Sequence, residues 1–168
     1  GKAKNSEKKI ITKIFKNMLS RLICKKRVFT HRDFHISNIM ITKEGLGLID
    51  SQDAVYGNIA YDLASLIDDV RFKTDKKFKD KILNQFIKNN KSLDRNKFQN
   101  DFEILSVLRN FKIIGIFSRL SKRDKKHKYL KLIPYAWELI EDRINNNIKF
   151  THLKNILDKN FPKNIRKK

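Results

Sequence analysis

His31-Arg32-Asp33-Phe34-His35-Ile36-Ser37-Asn38, with Ile49-Asp50 beyond it, is the stretch on which the reading of this chain turns. A short apolar run, Arg27-Val28-Phe29-Thr30, leads into it, and its polar, turn-forming residues predict a loop over 31–38. Ile39-Met40-Ile41-Thr42 and Leu46-Gly47-Leu48-Ile49 then flank Lys43-Glu44-Gly45. That pattern predicts a hairpin whose Gly takes the left-handed conformation and which ends at Asp50, folded back toward the loop. The spacing suits phosphoryl transfer. A loop Asp can take the proton of an attacking hydroxyl, an Asn five residues later can turn back to a metal, and an Asp from the facing strand can complete the set. Magnesium asks for hard oxygens and needs only one or two carboxylates besides phosphate and water. In a chain of this composition H-x-D-x-x-x-x-N arises by chance in roughly 3 of 100 shuffled orders, so the hairpin and Asp50 add weight to it.

Working outward, residues 6–24 place Ile10, Ile11, Ile14, Phe15, Met18, Leu19, Leu22 and Ile23 at helical spacing, with Asn5 or Ser6 as N-cap. Gly57 and Asn58 are expected to break the chain, after which Ile59, Leu63, Leu66, Ile67 and Val70 again repeat as a helix does. Helices are predicted over about 75–89, 94–121, 127–146 and 151–160. Pro134 should kink or open the third of these, and the basic tail 163–168 beyond Pro162 should fray. The expected architecture is a single α-rich α+β domain with a minimal sheet: a helix, the loop and hairpin of 27–50, and a helical remainder over 59–160. The aromatic residues, Trp137 included, fall at core positions, and the lone Cys24 is expected to be an inert buried thiol at a helix end.

Composition bounds the function. In 168 residues, 39 Lys and Arg stand against 18 Asp and Glu, a formal charge of +21. Such a balance invites a non-enzymatic basic module that binds nucleic acid or an anionic surface. The distribution argues against it, because residues 31–70 hold seven acids and two bases, a segment suited to a divalent cation rather than to phosphate itself. No apolar run approaches the ~20 residues of a membrane span, no signal peptide is visible, and one cysteine rules out an internal disulfide framework, so a cytoplasmic protein without a membrane partner is expected. Residue 1 is Gly rather than Met, from which a processed, tagged or truncated N-terminus is expected.

The loop HRDFHISNIM resembles the catalytic loop of the aminoglycoside phosphotransferase and choline kinase superfamily, whose fold is similar to that of protein kinases. The longer strings GLIDSQDAVYGNIAYDLASLIDDVR, RNFKIIGIFSRL and YLKLIPYAWELIEDRI look most like bacterial anomeric kinases of N-acetylmuramate and N-acetylglucosamine. The resemblance implies a kinase-like C-terminal lobe that transfers phosphate from ATP, with magnesium, to a sugar hydroxyl. It implies Asp33 as catalytic base, Asn38 and Asp50 as magnesium ligands, and His31 and Asp62 as braces of the loop, Asp62 by hydrogen-bonding its backbone. Arg32, His35, Gln52, Asp53 and Arg109 are candidate substrate-binding residues. Gln52 and Asp53 either meet a sugar hydroxyl or a second shell around the metal, or cap the following turn, and Arg109, like Arg119, either approaches an anionic substrate or packs with its stem along the helix. Ser51 stands where these kinases commonly carry an aromatic residue, and Arg32 where many aminoglycoside kinases carry a small one.

No glycine-rich phosphate loop, Walker sequence, or strand Lys followed by a helical Glu occurs in the 168 residues. The chain is therefore expected to lack the N-terminal lobe that covers ATP, to be inactive alone, and to show an apolar docking surface near Val28, Phe29 and the hairpin.

Overall fold

A computed structural model describes residues 5–145 and 147–167. Helix α1 (Asn5–Ser20) leads through an irregular segment into strand β1 (Arg27–Thr30). After the loop, which contains a 3-10 turn over Ile36–Asn38, come strands β2 (Ile39–Thr42), β3 (Gly45–Leu48) and β4 (Val55–Asn58). Helices α2 (Ala60–Ile67), α3 (Lys76–Asn89), α4 (Arg95–Asp124), α5 (Ile133–Ile144), α6 (Thr151–Asn160) and α7 (Lys163–Arg166) complete the chain. The fold is thus helix-rich, with a small β component in two antiparallel pairs, β1 with β4 and β2 with β3.

The 30-residue α4 buries residues on more than one side and so serves several packing clusters at once. On one side it packs Ile104 and Val107 against Ile14 and Met18 of α1, Trp137, Ile140 and Ile144 of α5, and Leu153 and Leu157 of α6. On another, its Phe98, Phe102 and Leu105 meet Cys24, Leu63, Ala64 and Ile67 of α2, and Ile87 of α3. Near its far end Ile113 and Phe117 close on Val70, Ala136 and Leu139. Asp75 and Asp94 cap α3 and α4 by accepting from the N–H of Phe78 and Lys97, which satisfies one of the donors each helix start leaves open.

Several sequence expectations are corrected here. The first helix ends at Ser20 rather than 24, because Asp101, buried on α4, accepts hydrogen bonds from the N–H groups of Ile23 and Cys24 and holds that backbone off the helical path. Cys24 is buried beyond the helix rather than at its end. Asn5 and Ser6, expected as the N-cap, both fall within α1. Gly57 and Asn58 do not break the chain but end strand β4: a Cβ at Gly57 would stand 2.7 Å from Thr30 Oγ1, so glycine lets the two strands approach. Pro134 opens the helix expected over 127–146, leaving a 3-10 segment at His127–Leu132 and starting α5 in its own first turn, where a missing N–H costs nothing. The tail is not frayed through Arg166. That side chain is 3% exposed and bonds Glu141 through Nη1 and Asp158 through Nη2, both at 2.8 Å, with its Nε on the Phe161 carbonyl.

The sheet side is sparsely covered. Phe29, Tyr56, Ile41 and Leu46 stand exposed, Ile41 by 90%. Between β1, the loop, α2 and α3 lies a cleft of about 760 Å³ lined mainly by apolar residues, among them Phe29, Phe34, Leu63, Phe78 and Phe86.

Candidate active site

The hairpin register carries the loop to its partner strand. Ile39 lies opposite Leu48, and just before that pair the Ile49 N–H donates to the Asn38 carbonyl at 3.1 Å, so Asn38 and Asp50 come from adjacent ends of paired strands. His31, almost fully buried, bonds the Ile49 carbonyl through Nε2 at 3.0 Å. A carbonyl only accepts, so Nε2 carries the proton. His31 Nδ1 is buried and has no hydrogen-bond partner among the described residues.

Asp62, in the first turn of α2, accepts from the N–H of His31 at 2.6 Å and of Arg32 at 3.0 Å, one oxygen to each. Two successive amides on one carboxylate fix the backbone just before Asp33. Arg32 itself has φ 74°, in the left-handed region that glycine fills at little cost, and its Nη1 donates to the Asp53 carbonyl at 3.2 Å. Asp50 has φ 70°. Both residues hold sparsely populated backbone at the ends of the loop-hairpin unit, the kind of local strain that surrounding bonds must support.

Asp33 is half exposed, with Lys112 of α4 3.9 Å away across a loose ion pair. Asn38 is buried and its Nδ2 donates to the Asp33 carbonyl at 3.0 Å, which leaves the amide oxygen, the end that suits a hard cation, turned away from that bond. One Asp50 oxygen accepts from Gln52 Nε2 at 2.7 Å; the other remains. Asn38 and Asp50 thus offer one hard oxygen apiece, a donor set that fits magnesium carried in with phosphate and water. Among the described residues no group of three or more His, Cys, Asp or Glu is gathered to hold a metal without such help.

The candidate substrate residues separate. Gln52 is engaged by Asp50, and Asp53 is exposed at the same rim; neither caps the turn, which closes by the Ala54 N–H donating to the Ser51 carbonyl. Arg109 is buried with Nη1 on the Asp68 carbonyl at 3.3 Å, the packing alternative rather than a substrate contact. Burial in turn lowers its pKa, against the attraction of Tyr61 and Asp69. Burial also lowers the pKa of His35, within the loop, helped by the neighbouring Arg71 cation.

Two residues escaped the sequence reading. Asp69 accepts from the Ile36 N–H at 3.3 Å and from both the backbone and the guanidinium of Arg71, a second brace under the 3-10 turn. Lys112 is the other; its only signal was a cation set directly between Phe111 and Ile113-Ile114.

The sequence pattern of the phosphotransferase enzyme family, APH, matches residues 3–95, more than half the chain and the whole of the loop, hairpin and α2. The chain belongs to this phosphotransferase family. It is 35% identical over 123 residues to an N-acetylmuramate/N-acetylglucosamine kinase of Neisseria meningitidis serogroup B, covering 70% of this chain and 37% of that protein. To the protein of the same name from Caulobacter vibrioides it is 34% identical over 119 residues, 68% of this chain and 33% of the relative. The Pseudomonas aeruginosa protein of that name is 29% identical over 137 residues, 78% and 40%. This phosphotransferase chain therefore spans about two fifths or less of the length of these three relatives. No helix among its described residues is long and apolar enough to cross a membrane.

Proposed function

We propose that the chain is the catalytic C-lobe of an ATP- and magnesium-dependent kinase that phosphorylates the anomeric hydroxyl of an amino sugar, N-acetylmuramate or N-acetylglucosamine. The observation that carries this is the convergence of Asp33, Asn38 and Asp50 on one braced loop-hairpin unit. Asp33 accepts the proton of the sugar hydroxyl as its oxygen bonds to the γ-phosphorus and the bond to the departing ADP breaks. Asn38 and Asp50 hold magnesium, which when bound neutralises charge on the phosphates. His31, Asp62 and Asp69 keep the loop backbone from moving, and Arg32, Gln52 and Asp53 form the rim the acceptor meets. The names of the relatives support the substrate class.

The residues that grip ATP in kinases are supplied by an N-terminal lobe, which docks over the exposed Phe29, Tyr56, Ile41 and Leu46. Phosphoryl transfer rests on positioning and charge stabilisation, so the 168 residues alone turn over no ATP. The test is a product assay with the chain alone and with an upstream lobe joined. The joined protein is expected to place phosphate on C1 of either amino sugar, and Asp33→Asn to lower its turnover by roughly 10²–10⁴-fold. Turnover by the isolated chain, or phosphate placed only on aminoglycosides or choline, overturns the reading.

A further inference from the structure

We propose that Lys112 reads a carboxylate on the acceptor and makes this site prefer an acidic amino sugar to a neutral one. The inference rests on the reading of Asp33 as the base of an amino-sugar kinase. The cations around the loop differ in how fully they are used. Arg71 lies on Asp69, Arg109 is buried on the Asp68 carbonyl, and Arg32 is tied to the Asp53 carbonyl. Among the described residues Lys112 has only the 3.9 Å approach to Asp33, with 41% of its side chain exposed. A pair that long and that wet adds little to stability, so stability does not account for its place.

Its place is beside the reacting atoms. An acceptor hydroxyl must come within about 3 Å of the Asp33 carboxylate to give up its proton. The ammonium lies 3.9 Å from that same carboxylate, so a sugar bound there brings its ring substituents within reach of it. Lys is a flexible point charge with three donors, able to leave a loose partner for a ligand carboxylate. One turn further along the same helix face is Gly115, where a Cβ would meet nothing within 4 Å, so the surface beyond the ammonium is bare. N-acetylmuramate is N-acetylglucosamine bearing a lactyl ether that ends in a carboxylate, so the two sugars differ by the group an unspent cation would recognise.

Calorimetric titration of the 168-residue chain with N-acetylmuramate, its methyl ester and N-acetylglucosamine tests this. The acid is expected to bind at least tenfold more tightly than the ester or the neutral sugar. Lys112→Met should erase that ratio by weakening the acid alone, and Lys112→Arg should retain most of it. Equal affinities in the unaltered chain, or a Lys112→Met loss shared by all three ligands, overturn the inference and leave the kinase reading standing. Binding of none of the three overturns the amino-sugar reading and the inference with it.

Discussion

Beneath α2, Asp68 is 1% exposed and fully engaged: Ser106 Oγ donates to it at 2.5 Å, Arg143 Nη2 at 3.2 Å and Lys79 Nζ at 3.3 Å. On the loop, Asp33 is 49% exposed with one cation at 3.9 Å. The helical knot and the loop-hairpin face are built from the same residue types and use them oppositely. In the knot every charge is consumed by a partner, because an unpaired buried carboxylate costs several kcal/mol. On the loop face it is the backbone that is consumed, by Asp62, Asp69 and His31, while the side chains of Asp33, Asn38 and Asp50 keep oxygens to spare. Carboxylates whose oxygens are used up and carboxylates whose oxygens stay open are thus divided between the two regions.

The sharpest way to break that comparison is Asp68→Ala. It strands Arg143 and Lys79 in a buried site and is expected to cost about 3–5 kcal/mol, a fall in Tm on the order of 10 °C in thermal denaturation. A fall of under 2 °C would mean that the knot is not what its bonding suggests. Asp62→Ala tests the other half: it leaves the amides of His31 and Arg32 without an acceptor, for about 1–3 kcal/mol. Hydrogen exchange at those two amides should quicken far more than at the amides of α4, and uniform quickening would show Asp62 to be an ordinary structural residue. The smallest effect has the opposite sign. Gly115 sits exposed in mid-helix with open space around it, so Gly115→Ala should stabilise by about 0.5–1 kcal/mol and raise Tm by a few degrees. An unchanged or lower Tm would mean that α4 is not held as a regular helix there.

The loop, the hairpin and the bounds of α3 and α6 were legible because each rests on neighbours in sequence: turn chemistry, period-two and period-3.6 patterns, and caps at Asp75 and Asp94. Asp33, Asn38 and Asp50 could be singled out for the same reason, lying on one loop and one hairpin. What was not legible is held by distant residues. Gly57 and Asn58 read as breakers, yet the Thr30 strand needs the bare Cα of the one, and the Nδ2 of the other donates to Asp101 at 2.6 Å, 43 positions away. Arg109 read equally as ligand or as packing until the Asp68 carbonyl was located beside it. Lys112 reaches the site only through the packing of α4 against the rest, which no local pattern encodes.

Arg166 has a practical consequence. Its guanidinium lies 5.5 Å from the ring centre of Trp137 while its nitrogens clasp α5 and α6. Trp137 is the sole tryptophan in the sequence. The intrinsic tryptophan fluorescence of this protein therefore comes from one position, where Trp137 also packs against Phe111 of α4 and Phe161, and it reads the packing of that core as the clasp is released.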